Sequence, residues 1–458
     1  LKICMVLSWM TTGGADKFNL DLLEMLRARG HEVTVCTTLP SDHPWESRFA
    51  ALSSDIFVTD RFLSPSDVPR FLSYLVKSRD MDCVLISGST LGYQLTPYLR
   101  AMSPDVTYLD LCHVEEPHWN NGGHPRFAIG YSDVFDFNIV STKHLADWMQ
   151  DHGADRSRIK VLYTGVQEHA EQDVADARAK VRARLNIPDD LPLVIFGGRI
   201  CAQKRPLLLA QILHMAKTSG LAFKAAIIGD GDLRAEFEAA LSQHGLNEHV
   251  TLYGALGHAE WFELLQAADA FLLPSEYEGI SIALLEAMSL GVVPIVSDVG
   301  GQGEIITEAS GYLIPHSSDE AQHYVDALRA VFLDPQERRA RGLAARDVIA
   351  QTFSKRSTIT AFETYVAEAK TQAKDTPRMR IPPRFGIESA TTALELNRIS
   401  SAFSWMAGNT QKSEDQAELM ALVNVLLKVR RSKIGQIVTN NRLARGVIRR
   451  ILRLFNRS

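Results

Sequence analysis

The sequence predicts an α/β protein with two doubly wound parallel sheets, and three observations predict it. Short apolar runs rich in β-branched residues alternate with helically periodic segments across roughly the first 350 residues, as βαβ units do. That series is written twice, with a polar, acid-rich stretch between the halves. At 458 residues the chain also exceeds one typical core, so two or three domains are expected.

The first half opens on the strand KICMVLS, turns through WMTTGGAD, and continues into the helix KFNLDLLEMLRARG and the strand HEVTVCTT. Gly30 ends that helix as a C-terminal cap would. Further strands are expected at DCVLISG, VTYLDLCHV, FNIVST and KVLYTGV, giving one Rossmann-like domain over residues 1–168. The stretch EHAEQDVADARAKVRARLNIPDDLP reads as a bridge. A second Rossmann-like domain follows over 169–353, running LVIFGGRI, RPLLLAQILHMAKTSG, FKAAIIGDG, LRAEFEAALSQHG, VTLYGAL, AEWFELLQAADA, FLLPS, IALLEAMSLG and VVPIVS. The helix STITAFETYVAEAK, within 354–371, is expected to return to the first domain. After the Pro-rich break TPRMRIPPR, residues 372–458 read as a helical extension. Two such domains facing each other make a cleft, the usual place for a ligand.

The hydrophobic share of 46% and charged share of 22% are those of an ordinary soluble protein. No stretch approaches the ~18 to 20 apolar residues of a membrane span, and no secretory signal opens the chain. The chain starts at Leu1, directly on a strand, which reads as a trimmed or partial polypeptide. Cys4, Cys36, Cys83, Cys112 and Cys201 are scattered without metal-ligand spacing and are expected to be reduced thiols of a cytoplasmic protein. The net charge of −5 is uneven: ten Lys or Arg and no acid lie between Lys428 and Ser458, leaving −15 before them. On a helix, Leu443, Val447, Ile448, Ile451, Leu454 and Phe455 of this tail share one side, and Arg445, Arg449 and Arg453 another. Two readings stay open, an interfacial helix on an anionic membrane surface or docking onto the acidic body or a neighbouring domain.

Residues 274–301 read PSEYEGISIALLEAMSLGVVPIVSDVGG. Gly279 suits a turn needing positive φ, Ser281 a helix N-cap or first turn, and Gly291 the helix end. A helix start is a ready anion site. Glu286 lies about a turn and a half in, and its neighbours one turn away, Ile282, Ala283, Ser289 and Leu290, include no cation. A buried carboxylate without a partner is costly. A ligand offering hydroxyl donors, such as a ribose diol, would resolve it; a solvated Glu on an exposed helix side is the plainer alternative.

In GGRICAQKRP, Arg199 and Lys204 follow a strand end, placed to hold phosphates, although the P-loop spacing is missing. In MTTGGAD, Gly13 and Gly14 allow close backbone approach to a ligand, or simply make a tight turn. His113 follows a strand and precedes an acidic, aromatic loop, at a cleft edge. Asp230-Gly231-Asp232 spells DxD, a pattern able to hold a metal; Asp232 capping the following helix is the cheaper explanation, and no metal is assigned.

Together these motifs resemble the family 4 retaining glycosyltransferases, of the GT-B fold, over about residues 1–370. The order of the Gly-Gly turn, GGRICAQKRP, IIGDGDLR, VTLYGAL and the E-x7-E element EGISIALLE carries the resemblance. It implies that Glu286 binds the ribose of a nucleotide-sugar and Glu278 the donor sugar. It implies Arg199 and Lys204 on the diphosphate, aided by backbone N–H groups near Ile280, Ser281 and Ile282. Tyr253, Gly254 and Ala255 would border the base. Gly13, Gly14 and His113 would line the cleft from the first domain, near the transferred sugar and the acceptor. Of these, Glu278, His113, Arg199 and Lys204 are the residues expected to serve catalysis. The acceptor would be a glycan or lipid-linked, with no cofactor, metal or nucleic acid, at a cytoplasmic site that a membrane-bound tail would make peripheral. The family often has Asn-Gly-Val-Asp where this chain has Thr164-Gly165-Val166-Gln167, and Glu-Gly-Phe-Gly where it has Glu278-Gly279-Ile280-Ser281. A non-catalytic module of a larger glycan synthase, and an epimerase or phosphorylase of the same fold, are the alternatives; a nicotinamide dehydrogenase fits less well.

Overall fold

The computed structural model describes residues 1–409. Both sheets lie in one compact unit, Leu1–Thr391; a second begins at Thr392, inside the helix Pro383–Asn409. The basic tail and the segment SEDQAELMALVNVLLKVRR lie outside the described residues. No described helix is long and apolar enough to cross a membrane.

The first sheet contains β1 (Lys2–Leu7), β2 (Glu32–Thr37), β3 (Ile56–Val58), β4 (Cys83–Ser87), β5 (Thr107–Cys112), β6 (Phe137–Val140) and β7 (Ile159–Val161). Its order is β3-β2-β1-β4-β5-β6-β7, with every pairing parallel. The second contains β8 (Leu193–Gly197), β9 (Lys224–Ile228), β10 (Val250–Gly254), β11 (Ala270–Leu273), β12 (Val293–Ser297) and β13 (Tyr312–Ile314). Its order is β10-β9-β8-β11-β12-β13, again all parallel. Helices cover both faces of such sheets, which is why β1 and β4 are continuous apolar runs rather than alternating ones. This is the GT-B arrangement of two Rossmann-like halves.

In each sheet the chain reverses its direction of growth between two strands, β1 and β4 in the first, β8 and β11 in the second. Ligands of doubly wound folds bind outside the carboxyl ends of the strands at this switch point. Gly13 follows β1, and the Arg199–Lys204 and Glu278–Glu286 segments follow β8 and β11.

The acidic stretch read as a bridge is mostly a helix, Glu171–Arg184, fastened to the second sheet. Arg178 Nη2 meets Asp269 Oδ1 at 2.6 Å, and the buried Arg182 donates to the Ala267 carbonyl at 2.8 Å and Asp269 Oδ2 at 3.2 Å. The buried residues of this helix are Val181 and Arg182, with Val174 only partly covered, so it carries too few apolar residues for periodicity to reveal it. The helix Lys355–Asp375 starts at Ser354, whose Oγ accepts from the Ser357 N–H at 3.2 Å. It buries Ile359, Phe362, Val366 and Ala369 in the same core as Ile3, Met5 and Leu85 of the first sheet. Gly165 permits that return, because a Cβ there would run into the Ser354 backbone.

Truncating the fully buried Phe362 to Ala should therefore cost about 3 to 5 kcal/mol. Denaturant unfolding of Phe362→Ala checks this; a loss below about 1 kcal/mol would mean the helix is not part of the first core.

Candidate active site between the two sheets

β11 ends at Leu273, and the loop from Pro274 leads into the helix Ile282–Ser289. Ser281 is its N-cap, accepting from the Leu284 N–H at 3.4 Å, and Gly291, at φ +75°, ends it. Gly279 does not occupy the left-handed region that the sequence suggested. It is glycine for another reason: a Cβ there would strike the carbonyl oxygen of His113 in the first domain.

Glu278 is buried and accepts from Ser275 Oγ at 2.8 Å and from the Lys204 ammonium. The expected sugar-binding acid and one expected phosphate ligand thus form an ion pair. Lys204 closes the short 3-10 turn Ala202–Lys204, and Arg205 after it sits at φ 49°. Arg205 is held there by two bonds to the buried Glu320, at 2.9 and 2.8 Å. Gln203 stitches the two loops together, donating to the Tyr277 carbonyl at 3.0 Å while its own carbonyl receives the Glu276 N–H at 2.8 Å. Arg199 is exposed, with a 3.3 Å bond to Gln203. Across the gap it moderates Glu116, whose carboxyl is pushed up by burial and pulled back by this guanidinium.

Glu286 is buried, as its sequence neighbours imply, but it does not lack partners. Trp261 Nε1 donates to Oε2 at 2.7 Å and His258 Nε2 to Oε1 at 2.9 Å, both from the helix His258–Ala267. Its neighbours one turn away could not reveal them, because both donors come from another element. Tyr253 and Ala255 are exposed at the end of the edge strand β10, and Gly254 takes φ +70°.

From the first domain, Gly13 is extended and opens the helix Gly14–Ala28. A Cβ on Gly14 would meet nothing within 4 Å, so the packing of the described residues does not require glycine there. That helix carries Phe18, whose ring meets the His113 imidazole edge-on at 5.1 Å. Burial, with the nearby His124 adding to it, pushes His113 down to about 4, and its Nε2 has no partner among the described residues. Ser141 Oγ donates to the His113 carbonyl at 2.6 Å.

Asp232 does not cap the helix Arg234–Gln243, which starts after Leu233 without a side-chain cap. Asp230 is exposed, receiving the Gly231 N–H at 2.8 Å and facing Arg234 at 3.4 Å. Among the described residues no group of three or more His, Cys, Asp or Glu is arranged to hold a metal ion. Sequence reasoning also missed Glu304. Its carboxylate accepts from the Lys143 and His144 N–H groups at 2.9 and 2.8 Å and from Tyr163 at 2.6 Å, so a second-domain acid caps a first-domain helix.

His113 makes stability depend on pH in a fixed direction. The unfolded ring takes up a proton near 6.5 and the folded one only near 4, so its contribution is complete above pH 6.5 and is lost as pH falls toward 4. The stability deficit of His113→Gln should therefore shrink between pH 7.5 and 5. Melting temperatures of both proteins at those two pH values test it; a constant difference would contradict it.

Residues 12–169 match the Glycosyltransferase Family 4 domain, and residues 177–348 the domain described as Glycosyl transferases group 1. The alpha-D-kanosaminyltransferase of Streptomyces kanamyceticus is 27% identical over 39% of this chain and 46% of its own length. The Vi polysaccharide biosynthesis protein VipC/TviE of Salmonella typhi is 26% identical over 58% of this chain and 46% of its own. The chain spans about half the length of the curated relatives it matches. In fold it is similar to Anabaena Alr3699/HepE, solved in complex with UDP, at a TM-score of 0.67 and 17% identity over 80% of this chain and all of that one. With both domains matched in order on two Rossmann-like halves, the chain belongs to the family 4, group 1 glycosyltransferases.

Proposed function

We propose that this chain moves a sugar from a nucleotide-sugar donor to a hydroxyl of a glycan or lipid-linked acceptor, with retention at the anomeric carbon and without a metal. The observation that carries the reading is the meeting of Lys204, Glu278 and the N-terminus of the helix Ile282–Ser289 at the switch point of the second sheet. A ligand lying there would have an ammonium, backbone N–H groups of a helix start and a buried carboxylate within its reach.

In this reading the bond from the anomeric carbon to the diphosphate breaks while the acceptor oxygen bonds to the same face. The acceptor proton passes to a leaving diphosphate oxygen. Charge develops on the diphosphate, where Arg199, Lys204 released from Glu278, and the N–H groups of Ile280, Ser281 and Ile282 would stabilise it. Glu278, held by Ser275, would accept from hydroxyls of the sugar, and Glu286 from the ribose. The stretch Tyr253–Ala255 would border the base. Gly13 and Gly14 would let the first domain's backbone close on the sugar, and His113, neutral at working pH, would face it without adding charge. A neighbour of the same fold, solved in complex with UDP, supports a nucleotide in this cleft. A relative named for polysaccharide biosynthesis supports a glycan-like acceptor. Asp230, tied to Gly231 and Arg234, has no part in this mechanism.

Screening UDP-, GDP-, ADP- and dTDP-sugars by thermal shift, then assaying the binders for hydrolysis and transfer, tests the function. A donor converted without any acceptor would indicate an epimerase, a requirement for phosphate a phosphorylase, and binding without turnover a non-catalytic module.

Arg199→Ala should lower turnover by about 10² to 10³ with little change in melting temperature, because the side chain is exposed. Lys204→Ala should lower turnover similarly and destabilise the fold, since it strips Glu278 of its ion-pair partner. Equal activity of Arg199→Ala and the parent would remove Arg199 from the diphosphate site. Turnover should persist in excess chelator; its loss, restored by Mg²⁺ or Mn²⁺, would overturn the metal-free reading.

A further inference from the structure

Glu286 stands on a helix that offers it no donor, yet both of its oxygens are held, and by two unlike groups. Trp261 is buried, and its indole lies over the end of β8, where a Cβ on Gly197 would come within 2.5 Å of the ring. Its N–H, 2.7 Å from Oε2, is therefore fixed in place. His258 is the first residue of its helix, and its side chain is 47% exposed, although Nε2 lies 2.9 Å from Oε1. One oxygen is held by a buried indole packed against the end of β8, and the other by a half-exposed imidazole.

We infer that Trp261 is the positioning residue that orients Glu286 toward a vicinal diol, and that His258 stands where one hydroxyl of that diol binds and yields the place to it. The inference rests on the proposed binding of a nucleotide ribose by Glu286. Accepting two hydroxyls at once requires the carboxylate plane to be held in one orientation. A side chain fixed before the ligand arrives contributes more affinity than one ordered on binding. Oε2 keeps a lone pair beyond the one the indole uses, and Oε1 regains its own when His258 swings out. Gly197 belongs to the device, because any larger residue at the end of β8 would displace the indole. The arrangement selects for a ribose over a 2′-deoxyribose, since only the former offers the second hydroxyl.

The test is calorimetry on the full chain with UDP, GDP and ADP, followed by the 2′-deoxy counterpart of whichever binds best. Trp261→Phe keeps the aromatic ring and removes the donor. It should weaken the ribonucleotide about tenfold or more, the scale of one hydrogen bond to a charged group, and leave the deoxy counterpart nearly unchanged. In turnover it should raise the donor KM more than it lowers kcat. A Trp261→Phe protein that melts like the parent and keeps its preference for ribose overturns the inference. His258→Ala tests the same device if Trp261→Phe does not fold: it should bind the ribonucleotide at least as tightly as the parent. Tenfold weaker binding there would make His258 a ligand contact and overturn its role as a displaced stand-in. Glu286→Gln separates the two levels. If it retains the ribose preference, the ribose reading fails; if it loses the preference while Trp261→Phe keeps it, only the positioning role fails.

Discussion

The site depends on one steric constraint, the approach of the second domain's backbone to the first at glycines. Gly279 lies against the His113 carbonyl, and its own carbonyl accepts the Gly301 N–H at 2.9 Å. A Cβ on Gly300 would enter the Glu278 carbonyl, and one on Gly301 would strike Thr142 of the first domain. Side chains at Gly279 or Gly300 would wedge the loops apart, since no rotamer change relieves a clash with backbone, and one at Gly301 would press on the Thr142 methyl and the Gly279 carbonyl. The loop that carries Glu278 and Ser281 is thereby held against the His113 carbonyl at Gly279. Glu304 adds an electrostatic tie to this steric one, since its carboxylate caps the helix Lys143–Asp151 and accepts from Tyr163.

Given that frame, the charges of the site are satisfied from within. Lys204 and Glu278 pair with each other, and Glu286 is held by an indole and an imidazole. Burying any of these carboxylates alone would be costly, and pairing them lowers that cost before a ligand arrives. In the proposed reaction a ligand would exchange partners with these groups rather than fill a void. The left-handed backbone at Arg205 shows how firmly the basic loop is held, because a non-glycine residue adopts it only when the surroundings enforce it. The enforcing group is Glu320, reached by two parallel guanidinium bonds next to the residue that carries the Lys204 ammonium.

What could be read in the sequence was whatever a single element encodes. Apolar runs between helically periodic segments located eleven of the thirteen described strands and missed β3 and β13, each only three residues long. Gly30 and Gly291 stand at helix ends with positive φ, and Ser281 at a helix start. What could not be read was anything completed by a distant segment. Glu286 appeared to lack a partner because Trp261 and His258 lie 25 and 28 residues earlier, on another helix. Gly279 looked like a turn glycine because the carbonyl that crowds it belongs to the other domain. The helix Glu171–Arg184 looked like a linker because, beside Val181, its anchoring contacts are those of Arg178 and Arg182 to Asp269, and a guanidinium does not register as apolar. The GDGD run suggested a capping Asp232, yet the helix begins beyond it, where Leu233 offers no side-chain acceptor.

These contacts also divide the site unevenly between the two domains. The second contributes Arg199, Lys204, Glu278, Glu286 and a helix N-terminus, all on loops leaving β8 and β11 or on the helix that follows β11. The first contributes a backbone carbonyl, extended glycine backbone, a histidine that burial keeps neutral, and Glu116, whose carboxyl is pushed up by burial and pulled back by Arg199. A charged histidine there would compete for the acids opposite and repel Arg199 and Lys204. In the proposed reaction the cations that stabilise the leaving diphosphate therefore all come from the second sheet's loops. Loop variation on the first domain can then alter what approaches the cleft without disturbing the groups that hold the leaving diphosphate in the proposed reaction.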